Sequence, residues 1–408
     1  MQKAIKYLKF VSYWAIILIP FSIAIAPGVV NTFIGFLFVS FLARKILTRE
    51  RLFIATPINL PFSLFMVVAL VSFINSIDYT ASIRGMEKLI INALLFLICA
   101  EEIRDKKHIN RIILSVIFGA SLASFDAIWQ VNFGRDFIRG NEPIINIGLT
   151  RATAAFPDAN VFGIYLSAIT PLIIGLALYY FKGRKKIVML AASILATIGI
   201  MLTFSRGTAL ALYVSVLFIS ICRRNKLISI SLLILLLVFP FIMPKNIKDW
   251  AKVIHYNPIV FMCNSDRITV YQNTINMIRH HPIIGVGVNT FSRNYIKYKS
   301  PEADDAKTGD YMYAHNHFLH MAGEVGLVGL GVFLWLLFRL FKKSMHIYKS
   351  LKDEYYKVLS LSVAACLIAF LVNGLTETSL YYARVSMIFW YFIGLTLALE
   401  RFTDGRKV

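Results

Sequence analysis

The sequence is short of charge, and shortest of acidic charge. Only 16% of its 408 residues are Asp, Glu, Lys or Arg, with 22 acidic against 43 basic. Soluble domains carry about 25% charged residues, so a soluble multi-domain enzyme is excluded. Cysteine is scarce as well. Cys99, Cys222, Cys263 and Cys366 form no CxxC and no paired spacing. That excludes a disulfide-built secreted scaffold and leaves free thiols buried in apolar runs as the simpler account. No internal repeat or low-complexity tract is present. What is abundant is hydrophobicity: 58% of the residues are apolar or aromatic, and the mean hydropathy is +0.67.

A membrane helix needs about 20 mostly apolar residues. The sequence predicts twelve such spans, at 10–26, 29–43, 57–77, 83–100, 112–131, 160–181, 187–204, 207–222, 227–243, 317–341, 357–375 and 384–400. The first follows Lys3, Lys6 and Lys9, as a signal peptide does. It lacks a clean small-x-small cleavage site, and a second span follows at once, so it reads as a retained helix. Alternating spans from an inner N-terminus put 27 of the 43 basic residues in inner segments. Nine of the other 16 lie in one long outer loop, which the positive-inside rule does not count. The net charge of +21, which on a soluble protein suggests nucleic acid, is therefore mostly an orientation signal. Both termini are expected in the cytoplasm, and the basic inner loops are expected to meet anionic lipid.

Two outer segments exceed a simple connector, 132–159 and 244–316. The expected organisation is one polytopic domain over 1–408 with an outer cap. In the second loop, Ile268, Tyr271, Ile275 and Ile278 fall at helical spacing within 266–281. That predicts an amphipathic helix at the membrane surface. Pro282 ends it, and Gly285-Val286-Gly287 predicts a turn. The same loop carries Trp250 and the acidic stretch Glu302–Asp305.

Chemically suggestive residues gather at outer helix ends. Ser205-Arg206-Gly207 opens a span, with Ser205 as a candidate N-cap. A helix N-terminus with a guanidinium beside it suits phosphate; lipid snorkelling is the plain alternative. Arg267 opens the amphipathic helix. Arg151, Asp158 and Asn160 precede one span, and Arg384, with Glu377 nearby, precedes the last. Capping, ion pairing and interface anchoring are the plain alternatives for these.

The densest cluster lies where the large loop returns, from Tyr311 through His315-Asn316-His317, His320 and Glu324 to Gly326 and Gly329. His317, His320 and Glu324 share a helical face. Imidazoles there suit proton transfer. Zinc ligation is the competing reading, disfavoured because HxxH is not HExxH. Gly326 and Gly329 are expected to allow close helix packing. Together these residues describe an outer-face site for a phosphorylated lipid. A transporter or flippase would instead place charges near the midplane of several spans; here Glu324 and Asp126 are the main exceptions.

At these residues the chain resembles the O-antigen ligase/polymerase (Wzy-C) superfamily. The marks are Ser205-Arg206-Gly207; Asp266-Arg267 ahead of His281-Pro282 and Gly285-Val-Gly287-Val-Asn289; and His315-Asn316 followed by Glu324, Gly326 and Gly329. Arg151 through Asn160 and Arg384 are weaker marks. The resemblance implies an all-α membrane protein with a GT-C-like fold and a large periplasmic loop between spans 9 and 10. It implies an inverting, metal-independent and cofactor-free glycosyltransferase at the periplasmic face of the bacterial inner membrane. The donor would be a glycan on undecaprenyl diphosphate and the acceptor lipid A–core. Carried over, Arg206 and Arg267 would bind pyrophosphate and His315 would be the general base. Arg151, Asn160, Arg384, His317 and Glu324 would contact substrate. O-antigen polymerase and protein O-oligosaccharyltransferase are the related alternatives; the motif spacing and the single large late loop favour the ligase.

Overall fold

The computed structural model describes residues 1–52, 54–146, 148–242, 245–263, 265–300 and 312–403. Glu302–Asp305 and Tyr311 lie outside them, and so does the side chain of Trp250. The protein is about 79% helical. All twelve apolar stretches are helices: α1 (Gln2–Ile25), α2 (Pro27–Thr48), α3 (Asn59–Val71), α4 (Tyr79–Glu102), α5 (Lys106–Phe133), α6 (Ala159–Tyr179), α7 (Gly183–Leu202), α8 (Arg206–Cys222), α9 (Lys226–Ile242), then, after the large loop, α14 (His317–Ser350), α15 (Glu354–Asn373) and α16 (Ala383–Ala398). The large loop holds α10 (Lys245–Val253), α11 (Pro258–Cys263), α12 (Ser265–His280) and α13 (Phe291–Asn294). The segment 132–159 holds an antiparallel hairpin, β1 (Ile144–Asn146) with β2 (Leu149–Arg151), pairing Ile144 with Arg151.

Among the described residues, eight of the helices are long and apolar enough to cross a membrane: α1, α2, α5, α6, α7, α14, α15 and α16. The apolar lengths of α3, α8 and α9 are shorter. Helix α4 is interrupted by Arg84, Glu87 and Lys88. Helix starts follow local chemistry. The Asp78, Asp105, Asp158 and Asp353 carboxylates accept first-turn amide hydrogens of α4, α5, α6 and α15, satisfying donors that have no partner within the helix. Pro27 opens α2, where a missing N–H costs nothing. Helices α6, α15 and α16 are apolar all round and buried all round, as helices at the centre of a bundle are.

The basic connections collect at one end of the bundle. There Arg44 pairs with Glu102 and Lys45 with Glu101, both as buried ion pairs. Lys343 pairs with Glu400 and Arg223 with Glu354 at the same end. The hairpin, the Thr203–Gly207 turn, the large loop and the 374–382 loop gather at the opposite end.

Packing adds a buried stripe to the reading of α12 and corrects the reading of Gly326. The buried stripe of α12 is Val270, Asn273, Thr274 and Met277, while Ile275 is exposed. Val270 and Met277 pack with Val286, Phe291, Tyr295 and Ala314 into a small core over the bundle, so α12 is partly covered by its own loop. Gly326 does not serve continuous helix packing. It breaks α14 at φ 73° and ψ 178°, because the Ile283 carbonyl oxygen stands 2.0 Å from where a Cβ would be. Leu327 donates to the Pro282 carbonyl at 2.8 Å, and Val286 and Gly287 donate to the carbonyls of Gly323 and Glu324. The expected Gly285–Gly287 turn is present, with both glycines at positive φ, and it docks on this break.

Candidate functional site

The end of the bundle that carries the loops brings four separate segments together. After α7 the backbone turns through Phe204, a non-glycine residue at φ 48°. Ser205 takes the N-cap place of α8, but its side chain makes no capping hydrogen bond. Thr203 Oγ1 instead accepts the Ser205 N–H at 3.2 Å. The first turn of α8 therefore starts without a side-chain cap. Arg206 leaves this turn and donates to the Phe261 carbonyl, with its guanidinium 5.5 Å from the Phe261 ring centre. Gly207 is required next to it, since a Cβ would lie 2.2 Å from Thr376 Oγ1. The missing side chain lets α8 press onto the 374–382 loop.

That loop supplies the centre of the site, the buried carboxylate of Glu377. Arg267, from the first turn of α12, pairs with Glu377 Oε1 and donates to the Thr376 carbonyl at 2.6 Å. Asn160 Nδ2 donates to the same Oε1 at 2.9 Å. Asn160 Oδ1 in turn accepts from Arg151 at 2.7 Å, and Arg151 Nε donates to the Thr203 carbonyl at 2.8 Å. On the other oxygen, His315 Nδ1 lies 3.1 Å from Glu377 Oε2. Tyr271 Oη donates to the His315 carbonyl at 3.0 Å. Asn316 caps α14 through the amides of Phe318 and Leu319. His315 itself is at φ 44°, a region costly for a side chain and favoured at sites where geometry matters more than ease.

The charges interact as the distances imply. Arg206 lies within electrostatic reach of both Arg267 and Arg151. Burial, helped by Arg267 and opposed by Asp158, holds Arg151 below the usual arginine value. Burial alone would raise the Glu377 carboxyl. The His315 hydrogen bond and the Arg267 charge outweigh it and hold the carboxyl below 4.5. With Glu377 ionised, His315 Nδ1 is the donor of this contact, and in a neutral imidazole the lone pair is then on Nε2.

This has a stability consequence. A carboxylate whose pKa is depressed in the folded state stabilises the fold above its unfolded value and loses that contribution as pH falls. The thermal midpoint of the wild type is expected to exceed that of Glu377→Gln at neutral pH. The gap should narrow below pH 4.5, read by thermal melts of detergent-solubilised protein. A gap that stays constant into acid would contradict the assignment.

The expected site residues do not all meet here. Arg151, Asn160, Arg206, Arg267 and His315 do. Arg384 stands apart from this network. It donates to the Ile23 and Ala155 carbonyls at 3.3 and 2.9 Å and stacks on Phe156 at 4.1 Å. His317 and Glu324 face a separate cavity of about 110 Å³ beneath the same loop, which His320 and Lys88 also line. Among the described residues, no group of three or more His, Cys, Asp or Glu is placed to hold a metal ion. Glu377 was noted in the sequence only as a neighbour of Arg384, and Lys88 was not singled out. For Lys88 a signal was available, a lysine inside the apolar 83–100 run.

Residues 191–334 match the protein-family model described as O-antigen ligase (Wzy_C). A Rickettsia conorii protein described as a candidate polysaccharide ligase is 27% identical over 183 residues, 42% of this chain. The match spans only 38% of that relative's length. A chain from a solved structure titled "Structural coordination of polymerization and crosslinking by a peptidoglycan synthase complex" is similar at 18% identity and a TM-score of 0.45, over 86% of this chain and 98% of that one.

Proposed function

We propose, from a chain that carries the O-antigen ligase family domain, that its loop-bearing end transfers a glycan from a polyprenyl diphosphate to a hydroxyl of lipid A–core. The supporting observation is the single hydrogen-bonded network that ties Arg267, Asn160 and His315 to Glu377, with Arg151 and Arg206 beside it. Guanidiniums suit a diphosphate, because a planar fork matches phosphate oxygens. The uncapped first turn of α8 adds amide donors and the positive end of a helix dipole.

In this reading the acceptor hydroxyl attacks the anomeric carbon from the face opposite the diphosphate. The new C–O bond forms as the C–O bond to phosphate breaks, and its electron pair leaves with the diphosphate. The hydroxyl proton goes to His315 Nε2. Glu377 holds the imidazole by Nδ1 and stabilises the imidazolium, as the carboxylate does in a serine-protease triad. Arg206, Arg267 and Arg151 take the growing leaving-group charge, so no metal is needed. The outcome is inversion. The large loop and the site would face the periplasm of a bacterial inner membrane, with both termini in the cytoplasm.

Removing one charged donor from a developing oxyanion costs about 10²–10³-fold in rate. Arg206→Ala and Arg267→Ala are each expected to lose about that much transfer, with EDTA present and with normal membrane expression. Reconstituted vesicles given lipid-linked glycan and lipid A–core provide the assay. Wild-type transfer by Arg206→Ala would sink the pyrophosphate role.

A further inference from the structure

The second cavity sits behind the 374–382 loop, on the side away from the arginines. Thr378 and Tyr381 line it, whereas Glu377 faces the other way. Its volume is about 110 Å³, on the scale of a cavity of about 150 Å³ that admits a single benzene ring. Its wall is unusual for the interior of an apolar bundle. Lys88 donates to Asn289 Oδ1 at 3.2 Å and lies 4.6 Å from the centre of the Tyr381 ring. Glu324 Oε1 accepts the Phe291 amide at 3.2 Å. Glu324 is within electrostatic reach of Lys88, yet each head is held by a different partner, with the cavity flanked by both.

Two more polar groups line it without a hydrogen-bond partner. His317 is 6% exposed and neither ring nitrogen is hydrogen-bonded. His320 is 4% exposed; its Nε2 is 3.2 Å from Glu324 Oε1, and neither of its ring nitrogens makes a hydrogen bond. Buried polar groups are normally satisfied, and leaving one without a partner is costly. Such groups around one cavity ask for a polar ligand. Phe333, edge-to-face with His317, and Trp390 supply apolar lining.

The charges decide the ligand class. One ammonium and one carboxylate balance, so the cavity calls for neither an anion nor a cation. It offers donors, acceptors and aromatic faces together, which is what a neutral pyranose ring needs for its hydroxyls and its C–H face. We infer that this cavity is a subsite for one neutral sugar ring of a transferase substrate. The inference rests on the proposed glycan transfer. His317 follows His315 by two residues, and its amide donates to the Gly374 carbonyl at 2.7 Å. A ring held there is therefore coupled through one short loop to the base.

The test uses the full-length protein in vesicles and separate titrations of the lipid-linked glycan and of lipid A–core. Lys88→Met and Glu324→Gln keep length and shape while removing the charges. Losing a hydrogen bond to a charged group costs about tenfold or more. One substrate's KM is expected to rise by at least about tenfold in both variants. A rise for lipid A–core assigns the ring to the acceptor; a rise for the lipid-linked glycan assigns it to the donor. Intrinsic fluorescence on adding methyl glucoside gives a readout free of turnover, because Trp390 lines the cavity. The response is expected in the wild type and lost in Lys88→Met. Unchanged KM for both substrates in well-folded variants, with no fluorescence response, would overturn the subsite and leave the polar cluster structural. A wild type that transfers nothing but still responds to methyl glucoside would instead strike at the proposed transfer and leave the sugar site standing.

Discussion

Glycan transfer by His315→Ala is expected to fall by about 10²–10⁴-fold, the usual contribution of a positioned general base. The loss should appear in kcat, with the KM for the lipid-linked donor nearly unchanged. The reason is geometric. His315 touches the network only through Nδ1, at Glu377 Oε2, while the arginines reach Glu377 and its surroundings by other atoms. Alanine removes the base and leaves the cationic pocket in place. His317 does not replace it. It lies on the cavity side of the loop, buried, with no link to Glu377. His317→Ala is therefore expected to retain far more kcat than His315→Ala. Equal kcat losses in the two would move the base to His317 and overturn the assignment.

Glu377→Gln is expected to lose at least about 10²-fold in transfer. Replacing the carboxylate that orients a catalytic imidazole by its amide costs about 10⁴-fold in the serine-protease case, through the wrong tautomer. Here a second effect adds to it. Arg267 pairs with the same carboxylate, so the amide removes the charge that holds that guanidinium. The variant is expected to lower kcat and raise the KM for the donor together, which neither His315→Ala nor Arg206→Ala should do alike. Glu377→Asp, which keeps the charge but shortens the reach, should recover part of the donor affinity and less of kcat. A Glu377→Gln protein with wild-type kinetics would remove the carboxylate from the centre of the site.

The sequence made much of this legible, for physical reasons. Apolar runs of membrane-crossing length have few stable alternatives to helix; the twelve apolar stretches are helical, and eight of the helices among the described residues are long and apolar enough to cross a membrane. Arginines and histidines at the ends of such runs stand out because charge is scarce there. Arg151, Arg206, Arg267 and His315, which the proposed site uses, were picked out that way, and Asn160 through the polar cluster before α6. Glu377 was not, since it sits in an ordinary Leu-Thr-Glu-Thr-Ser stretch. Its partners are 62, 110 and 217 positions away, and no local spacing joins them. Arg384 is ambiguous in the sequence for the converse reason. An arginine before a span reads the same whether it faces a ligand or, as here, the carbonyls of Ile23 and Ala155. The role of Gly326 also needed the fold, because its positive φ is imposed by Ile283 from a different segment.

Lys88 shows what a charge inside an apolar run can mean. Alone it resembles an interruption of α4. The fold sets it across one cavity from Glu324, a residue 236 positions later in the chain. Burying an ammonium without a partner is costly, and the cavity supplies Asn289, the Tyr381 face and the Glu324 charge. The two polar centres lie on opposite sides of one loop of nine residues, 374–382. That shared loop is the physical link between the two proposed pockets, one for the leaving group and one for the sugar ring.

The most direct test of glycan transfer to lipid A–core is deletion of the gene, with complementation by the wild type or by His315→Ala. Lipopolysaccharide and the lipid-linked glycan pool are read side by side. The expected result is core without attached long glycan, long chains retained on undecaprenyl diphosphate, and rescue by the wild type alone. Core bearing single repeat units would indicate a polymerase. Unchanged lipopolysaccharide in the deletion strain would contradict transfer to lipid A–core and point to a protein or another acceptor.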